Sequence, residues 1–430
     1  MLLAVMGLPL SSVAQPHDDR LGVTTHFSQG WDLASSMALL QSSSIGWIRD
    51  DIFWSQFETS KGVYSTPANA QAWINAVSNA GIKIVGLIGY GNPIYADPYD
   101  PIAYRNFAAW LARTFAGKIE AIEVCNEPNG DYASKEGPNW QAKYTSLLNA
   151  TAASVKSANP NMVVIGGGSL YTSDNYLIMS DGVSSQVDAM TAHPYCAENL
   201  PDKIKDTGQS FGDYIKTWRQ NAAGHHAPSQ IWHTEWGQAT VRDPAGKWAV
   251  TESIQAWENI RRLLDCYFYN IDHTFIYDLR DEAFTPFNSA AVFGIAYAQS
   301  PDGRCTPKQC FYAVNNVSRV LSGLTPNPAW PFTYFWPNNP PPNWNWNTYT
   351  AYRFNNSAGN KTVIAFFLND YWYDPGNFQV FIRFGTFSPH SVTLYDPVSG
   401  QSQSLPWWSD GYGQTTGATV TSHPQFLIIQ

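Results

Sequence analysis

Short apolar runs alternate with longer amphipathic ones from residue 20 to about residue 321. The runs at 20–27, 45–52, 83–90, 119–129, 162–169, 187–195, 230–237 and 273–279 have strand length and are rich in aliphatic and aromatic residues. Strands covered on both faces read this way. Between them apolar residues return at helical spacing. Leu33, Met37 and Leu40 share a face in 31–43, as do Phe107, Trp110, Leu111 and Phe115 after the Asp100-Pro101 cap. Further helices are predicted near 67–80 and at 140–157, 211–223, 251–269 and 308–321. The segments 171–180 and 200–223 carry thinner periodicity. Eight strands, each followed by a helix or a helix-length loop, predict an α/β fold, a (β/α)8 TIM barrel. The competing open, doubly wound sheet would carry a G-x-G-x-x-G after its first strand, and none is present.

The texture changes past Leu324. Residues 325–346 are crowded with Pro, Asn and Trp, and no helical period follows. Short alternating runs at 349–354, 362–367, 378–384, 391–394 and 425–429, with a turn at Asp396-Pro397, predict a C-terminal antiparallel β-sandwich over 325–430. The barrel is assigned to 16–324. Residues 1–15 are expected to be a signal-peptide remnant, an apolar run ending in Ser12-Val13-Ala14 without a basic start. A secreted or periplasmic protein follows from that reading.

Composition narrows the class. With 44% apolar and only 14% charged residues, the chain can bury a large core. A net charge of −9 argues against nucleic acid and anionic membranes as partners. The 18 Trp suit either a large core or sugar stacking. Of five cysteines, Cys305 and Cys310 lie close on a polar loop and are a suspected disulfide, while Cys125, Cys196 and Cys266 read as buried thiols. No zinc-type spacing is present, and no metal or organic cofactor is implied.

The chemistry gathers at strand ends. In 119–129, Ile122 and Val124 are expected to point one way, and Glu123, Cys125 and Glu127 the other. Pro128 has no N–H and stops the ladder. In 230–237, Ile231, His233 and Glu235 are expected to share a face. The parallel strands of a barrel bring their C-terminal ends to one mouth. Arg49, Glu127, His193, Tyr195 and Glu235 then converge, although each alone reads as an ordinary rim charge or core polar group. Two carboxylates there need different protonation states. Arg49 and Tyr195 are placed to hold Glu235 ionised, and Glu127 to keep a proton for a leaving oxygen. Asn126 is placed to meet a sugar 2-OH. Glu123, deeper in the same strand, reads as an interior partner for a base, and Asp51 and Asp278 as cleft-lining groups. Trp54, Trp236 and Tyr90 are candidate sugar platforms.

Asn126-Glu127-Pro128 and Thr234-Glu235-Trp236-Gly237 resemble the acid/base and nucleophile motifs of the retaining (β/α)8 glycosidases. The runs RDDIFWSQFE, AHPY and LYDPVSG look closest to family 39-like enzymes, especially bacterial exopolysaccharide endoglycosidases. The resemblance runs from about residue 20 to the end. It implies Glu127 as acid/base and Glu235 as nucleophile, supported by Arg49, Asn126, His193 and Tyr195. It implies an O-glycosyl hydrolase, a polysaccharide or oligosaccharide partner, a monomer, and carboxyl groups roughly 5–5.5 Å apart. Many members of that clan end the eighth strand in Trp; this chain has Tyr277-Asp278, so Tyr277 is the expected platform. The alternatives are a non-catalytic polysaccharide-binding barrel, or a glycosidase of another family of the clan acting on plant glycan or glycolipid.

Overall fold

Eight parallel strands close on themselves in sequence order: β1 (Asp18–Thr24), β2 (Ile45–Asp51), β3 (Lys83–Ile88), β4 (Ala121–Val124), β5 (Val163–Ser169), β6 (Ala189–Ala192), β7 (Gln230–Trp236) and β8 (His273–Ile276), with β8 pairing back onto β1. The computed structural model describes residues 16–196, 203–240, 250–282, 291–328, 333–335, 349–368, 378–385 and 389–430. The expected signal remnant, 1–15, lies outside the described residues.

The helices are α1 (Leu33–Gln41), α2 (Trp54–Phe57), α3 (Ala68–Asn79), α4 (Pro101–Thr114), α5 (Asp131–Glu136), α6 (Trp140–Ala158), α7 (Thr172–Ser180), α8 (Phe211–Gly224), α9 (Glu252–Phe268) and α10 (Gln309–Leu321). Local chemistry starts them. The Asp100 carboxylate accepts from the Ile102 and Ala103 amides with Pro101 in the first turn, Ser210 accepts from Asp213, and Thr251 from Ile254. None of the described helices is long and apolar enough to cross a membrane.

Barrel side chains separate by parity. Trp47, Val85, Ala121, Ile165, Ala189, Trp232 and Phe275 form a closed plug in the lower barrel. Their outward neighbours, among them Ile48, Ile84, Ile122, Val164 and Ile231, join the helix layer. The middle of the barrel is therefore packed, and the C-terminal ends of the strands open onto the upper rim.

The C-terminal strands are β9 (Leu324–Pro326), β10 (Thr333–Phe335), β11 (Tyr349–Asn356), β12 (Thr362–Leu368), β13 (Phe378–Gly385), β14 (Val392–Tyr395), β15 (Ser402–Ser404), β16 (Trp407–Ser409), β17 (Gln414–Val420) and β18 (Gln425–Ile429). They make two sheets, ordered β10-β13-β17-β16 and β15-β14-β18-β12-β11-β9. Strand β12 shows why they stack. Its Ile364, Phe366 and Leu368 join Val380, Ile382 and Phe384 in the sandwich core, while Val363, Ala365 and Phe367 face the barrel. On the barrel side, Phe268 of α9 stacks on Tyr352 at 4.4 Å, and the Tyr352 hydroxyl donates to Asp265 Oδ1 at 2.5 Å.

The expected Cys305–Cys310 bond is corrected by the structure, in which both are free thiols. Cys310 is the second residue of α10 and points into the core, where its Sγ accepts from Asn259 Nδ2 at 3.0 Å. Cys305 belongs to the loop before it.

Candidate active site

Arg49 is the hub of the upper barrel. It leaves β2 on the same face as Trp47, two residues above the plug. Its Nε donates to Glu123 Oε2 at 2.5 Å, one terminal nitrogen to Glu235 Oε1 at 2.5 Å, and the other to Asn126 Oδ1 at 2.9 Å. Glu123 also accepts from Thr234 Oγ1 at 2.8 Å. Glu123 is therefore the interior partner expected for it. The guanidinium is buried and fully engaged, as such a charge must be.

Strand alternation alone does not explain these directions. Beyond Val124, Cys125 and Glu127 adopt positive φ, 60° and 39°. Non-glycine residues in this region are strained, and such strain clusters at functional sites. The turn sends Cys125 outward, against Tyr104 of α4, with Ile122 and Val124. The expectation that Cys125 shares the face of Glu123 and Glu127 is thus corrected. On β7 the pairing with β8 shifts register between His233 and Trp236. The extra residue lets Thr234 and Glu235 both face inward. His233 faces outward, against Phe211 and Cys266. The expected common face of Ile231, His233 and Glu235 is therefore also corrected.

Glu235 is almost completely buried. Its Oε2 accepts from the Tyr195 hydroxyl at 3.0 Å and lies 3.6 Å from His193 Nδ1. Burial acts to raise its carboxyl, but His193, Arg49 and Tyr195 outweigh burial and hold it below the ordinary value of 4.5. His193 Nδ1 lies 2.9 Å from Glu127 Oε1. Burial works against a charge on this imidazole, yet Glu235 and Glu127 raise it above the ordinary value. Glu127 is partly exposed on the open side of the same cleft. Carboxylate oxygens of Glu127 and Glu235 lie within 4.8 Å of each other, with His193 between them.

The cleft measures about 510 Å³. Asn126, Glu127 and Glu235 line it, with Asp51 and Tyr90 on one side and Tyr277 and Glu282 on the other. Tyr90 is 42% exposed and stacks on Phe53. Tyr277 packs edge-on against His26 and Phe293. Trp54 and Trp236, expected as platforms, lie elsewhere, which corrects both. Trp54 is sealed between Tyr95 and Phe107, its indole donating to Glu58 at 2.5 Å. Trp236 points outward, its indole donating to Thr274 Oγ1 at 2.6 Å. The register shift that aims Glu235 inward aims its neighbour out.

The sequence reading missed His26, Gln29 and Glu282. His26 stacks on Trp31 at 5.1 Å and sits 3.0 Å from Glu282 Oε1 and 4.0 Å from Asp278 Oδ2. Burial opposes its charge, but Glu282 and Asp278 raise it to about 9. Burial pushes Asp278 well above the usual carboxylate range, so Glu282, held low, balances the imidazolium. His26 stands two residues past the end of β1, so the strand-end rule that found His193 applies to it as well. Glu127–His193–Glu235 and His26–Asp278–Glu282 each bring three possible ligand atoms close enough to hold a divalent ion. In both, contact between imidazole and carboxylate already draws the atoms together.

Two predictions arise from this geometry. Replacing Arg49 by Met leaves Glu123 and Glu235 buried without their cation. Breaking a buried pair in this way costs about 3–5 kcal/mol. Urea denaturation at neutral pH checks the loss, and adding Glu123→Gln should recover part of it. The second prediction concerns pH. A depressed folded pKa makes ionised Glu235 stabilising above its unfolded pKa of about 4.3, and that contribution is lost as pH falls through the lower folded value. Tyr195→Phe removes a hydrogen bond to the ionised form. The acid limb of thermal stability should therefore move to higher pH, with the basic limb unchanged.

No family model and no curated protein matches the chain. Solved structures do. A family 39 glycoside hydrolase from Bacteroides cellulosilyticus WH2 is similar with a TM-score of 0.74 at 20% identity, over 97% of this chain and 83% of that one. A family 51 α-L-arabinofuranosidase from Bifidobacterium longum has a TM-score of 0.61 at 12% identity, over 97% and 98%. A family 30 endoxylanase from Clostridium papyrosolvens C71 has a TM-score of 0.57 at 14% identity, over 98% of both chains. The chain therefore has the fold of these glycoside hydrolases, an eight-stranded parallel barrel with helices and a C-terminal β-sandwich.

Proposed function

We propose that the protein is a retaining glycoside hydrolase that cleaves β-glycosidic bonds of a polysaccharide by double displacement. One observation carries this reading. A carboxylate held ionised by Arg49, Tyr195 and His193 lies within 4.8 Å of a second, more exposed carboxylate in one cleft. Such closeness supports retention, since inverting pairs stand roughly 6.5–9.5 Å apart to admit a water. Glu235 attacks the anomeric carbon, the glycosidic C–O bond breaks, and Glu127 delivers its proton to the leaving oxygen. Water then attacks the same carbon, Glu127 takes its proton, and the ester to Glu235 opens. His193 holds Glu127 in place and stabilises the ionised Glu235. Asn126, anchored through its oxygen by Arg49, turns its amide NH2 to the sugar.

For the finer substrate we infer internal cleavage of an exopolysaccharide by a secreted or periplasmic monomer. The likeness of RDDIFWSQFE and AHPY to exopolysaccharide endoglycosidases supports it, and a polymer of that size is met outside the cytoplasm. Proton NMR of the first-formed product tests the mechanism. Retained anomeric configuration is expected, and inversion would refute double displacement. Product sizes from a panel of exopolysaccharides, xylan, mannan and β-glucan test the substrate. Medium-length fragments early in the reaction are expected, and monosaccharide alone would refute endo action.

A further inference from the structure

Among the described residues of the sandwich, the exposed large apolar side chains are Trp407 at 36%, Trp408 at 40% and Tyr412 at 81%. All are aromatic, and all fall within one short hairpin. Among the described strands β16 is the edge of its sheet, paired to β17. Trp408 and Arg383 both pair with Thr415, so they lie on the same face of that sheet, away from the buried Ile382. Trp408 packs edge-on against Phe381 at 5.7 Å, and the Arg383 guanidinium lies 5.2 Å above the Tyr412 ring.

The turn presenting Tyr412 is firmly built. Asp410 Oδ1 accepts from the Tyr412 and Gly413 amides at 2.9 and 3.0 Å. Its Oδ2 accepts from Arg383 at 2.5 and 2.8 Å and from Thr415 Oγ1 at 3.0 Å. So many bonds converge on one carboxylate to hold an aromatic ring in water. Burial cannot be the reason for that arrangement.

We propose that Trp408 and Tyr412 form a second carbohydrate site, a stacking platform for a neutral glycan chain, here the polymer that the cleft cleaves; that last identification rests on the proposed function. Three side chains are far too few for a stable protein interface, which needs roughly 800 Å² per partner. Among the described residues of the sandwich no large aliphatic side chain is exposed beside them. Flat faces with polar edges suit sugar rings, which offer C–H groups to the face and hydroxyls to the edge. Charge narrows the ligand. Asp410 and Arg383 neutralise each other, so this pair offers a polyanion no net positive charge, and the chain as a whole carries −9.

Affinity electrophoresis in native gels containing soluble galactomannan or arabinoxylan tests this, with the full chain and its Trp408→Ala/Tyr412→Ala variant. The intact protein should be retarded in at least one polymer, and the variant at least five-fold less. Both should hydrolyse a small aryl glycoside at the same rate and melt at the same temperature. The Trp408→Phe/Tyr412→Phe variant should keep most of the retardation, which separates stacking from misfolding. Equal retardation of the protein and its alanine variant, or none in either gel, would overturn the platform. So would a dimer in sedimentation that the alanine variant dissociates, since β16 would then be a self-pairing edge. Inactivity on the aryl glycoside alongside patch-dependent retardation would refute the hydrolase reading and leave the platform standing.

Discussion

Glu235→Gln is expected to remove turnover on every substrate, by a factor on the order of 10⁴ or more, the scale set by loss of a group that forms the covalent bond. The amide is nearly isosteric and can still meet Arg49 and Tyr195 through its oxygen. The fold should survive, because one buried negative charge has gone while the cation keeps Glu123. Activated aryl glycosides will not rescue the variant, since a good leaving group does not replace a missing nucleophile. A small anion such as azide, given room by Glu235→Ala, should restore turnover with inverted product. Residual activity above about 1% with retained configuration would assign the nucleophile to another residue.

Glu127→Ala should behave differently. For substrates with poor leaving groups the loss should be roughly 10²–10⁴-fold, the range for general acid–base catalysis. For dinitrophenyl glycosides the first step needs no proton. The covalent glycosyl-enzyme should then accumulate, because its hydrolysis still lacks a base. A burst of phenol followed by slow turnover is the kinetic signature, and mass spectrometry of the quenched protein should find the sugar on the peptide containing Glu235. Equal losses for good and poor leaving groups would show that Glu127 acts on position or charge instead. The contrast between the two variants rests on burial. Glu235 lies among donors that favour its charge, whereas Glu127 meets one imidazole and the open cleft.

Strand-end carboxylates were legible in the sequence because parallel strands bring their C-terminal ends together whatever the spacing between them. Glu127 and Glu235 are 108 residues apart, and Arg49 precedes Glu235 by 186, yet the barrel unites them. Period-two patterning was a poorer guide at the rim. Cys125 turns toward Tyr104 of α4 because its backbone has gone to positive φ, and Glu235 faces inward because β7 carries an extra residue. Neither event has a pattern in one sequence. Trp54 and Trp236 stand beside catalytic-looking residues in the chain but are turned into the core, where an indole with a hydrogen-bond partner is at home. His26 and Glu282 meet across 256 residues. Only closure of β8 onto β1 makes them neighbours, and no local signal joins them.

The register shift on β7 makes catalytic depth a matter of chain length. With the extra residue, Thr234 occupies the layer of Glu123, and Glu235 stands one level higher, at the opening. Deleting Thr234 would restore plain alternation without turning the carboxylate away. It would sink it into the layer below, bringing the two carboxylates that share the Arg49 guanidinium side by side at one depth. An insertion or deletion of one residue in this strand therefore works like a lift rather than a rotation. Among descendants of this chain, lengths of β7 should be held more tightly than the identities of the side chains along it.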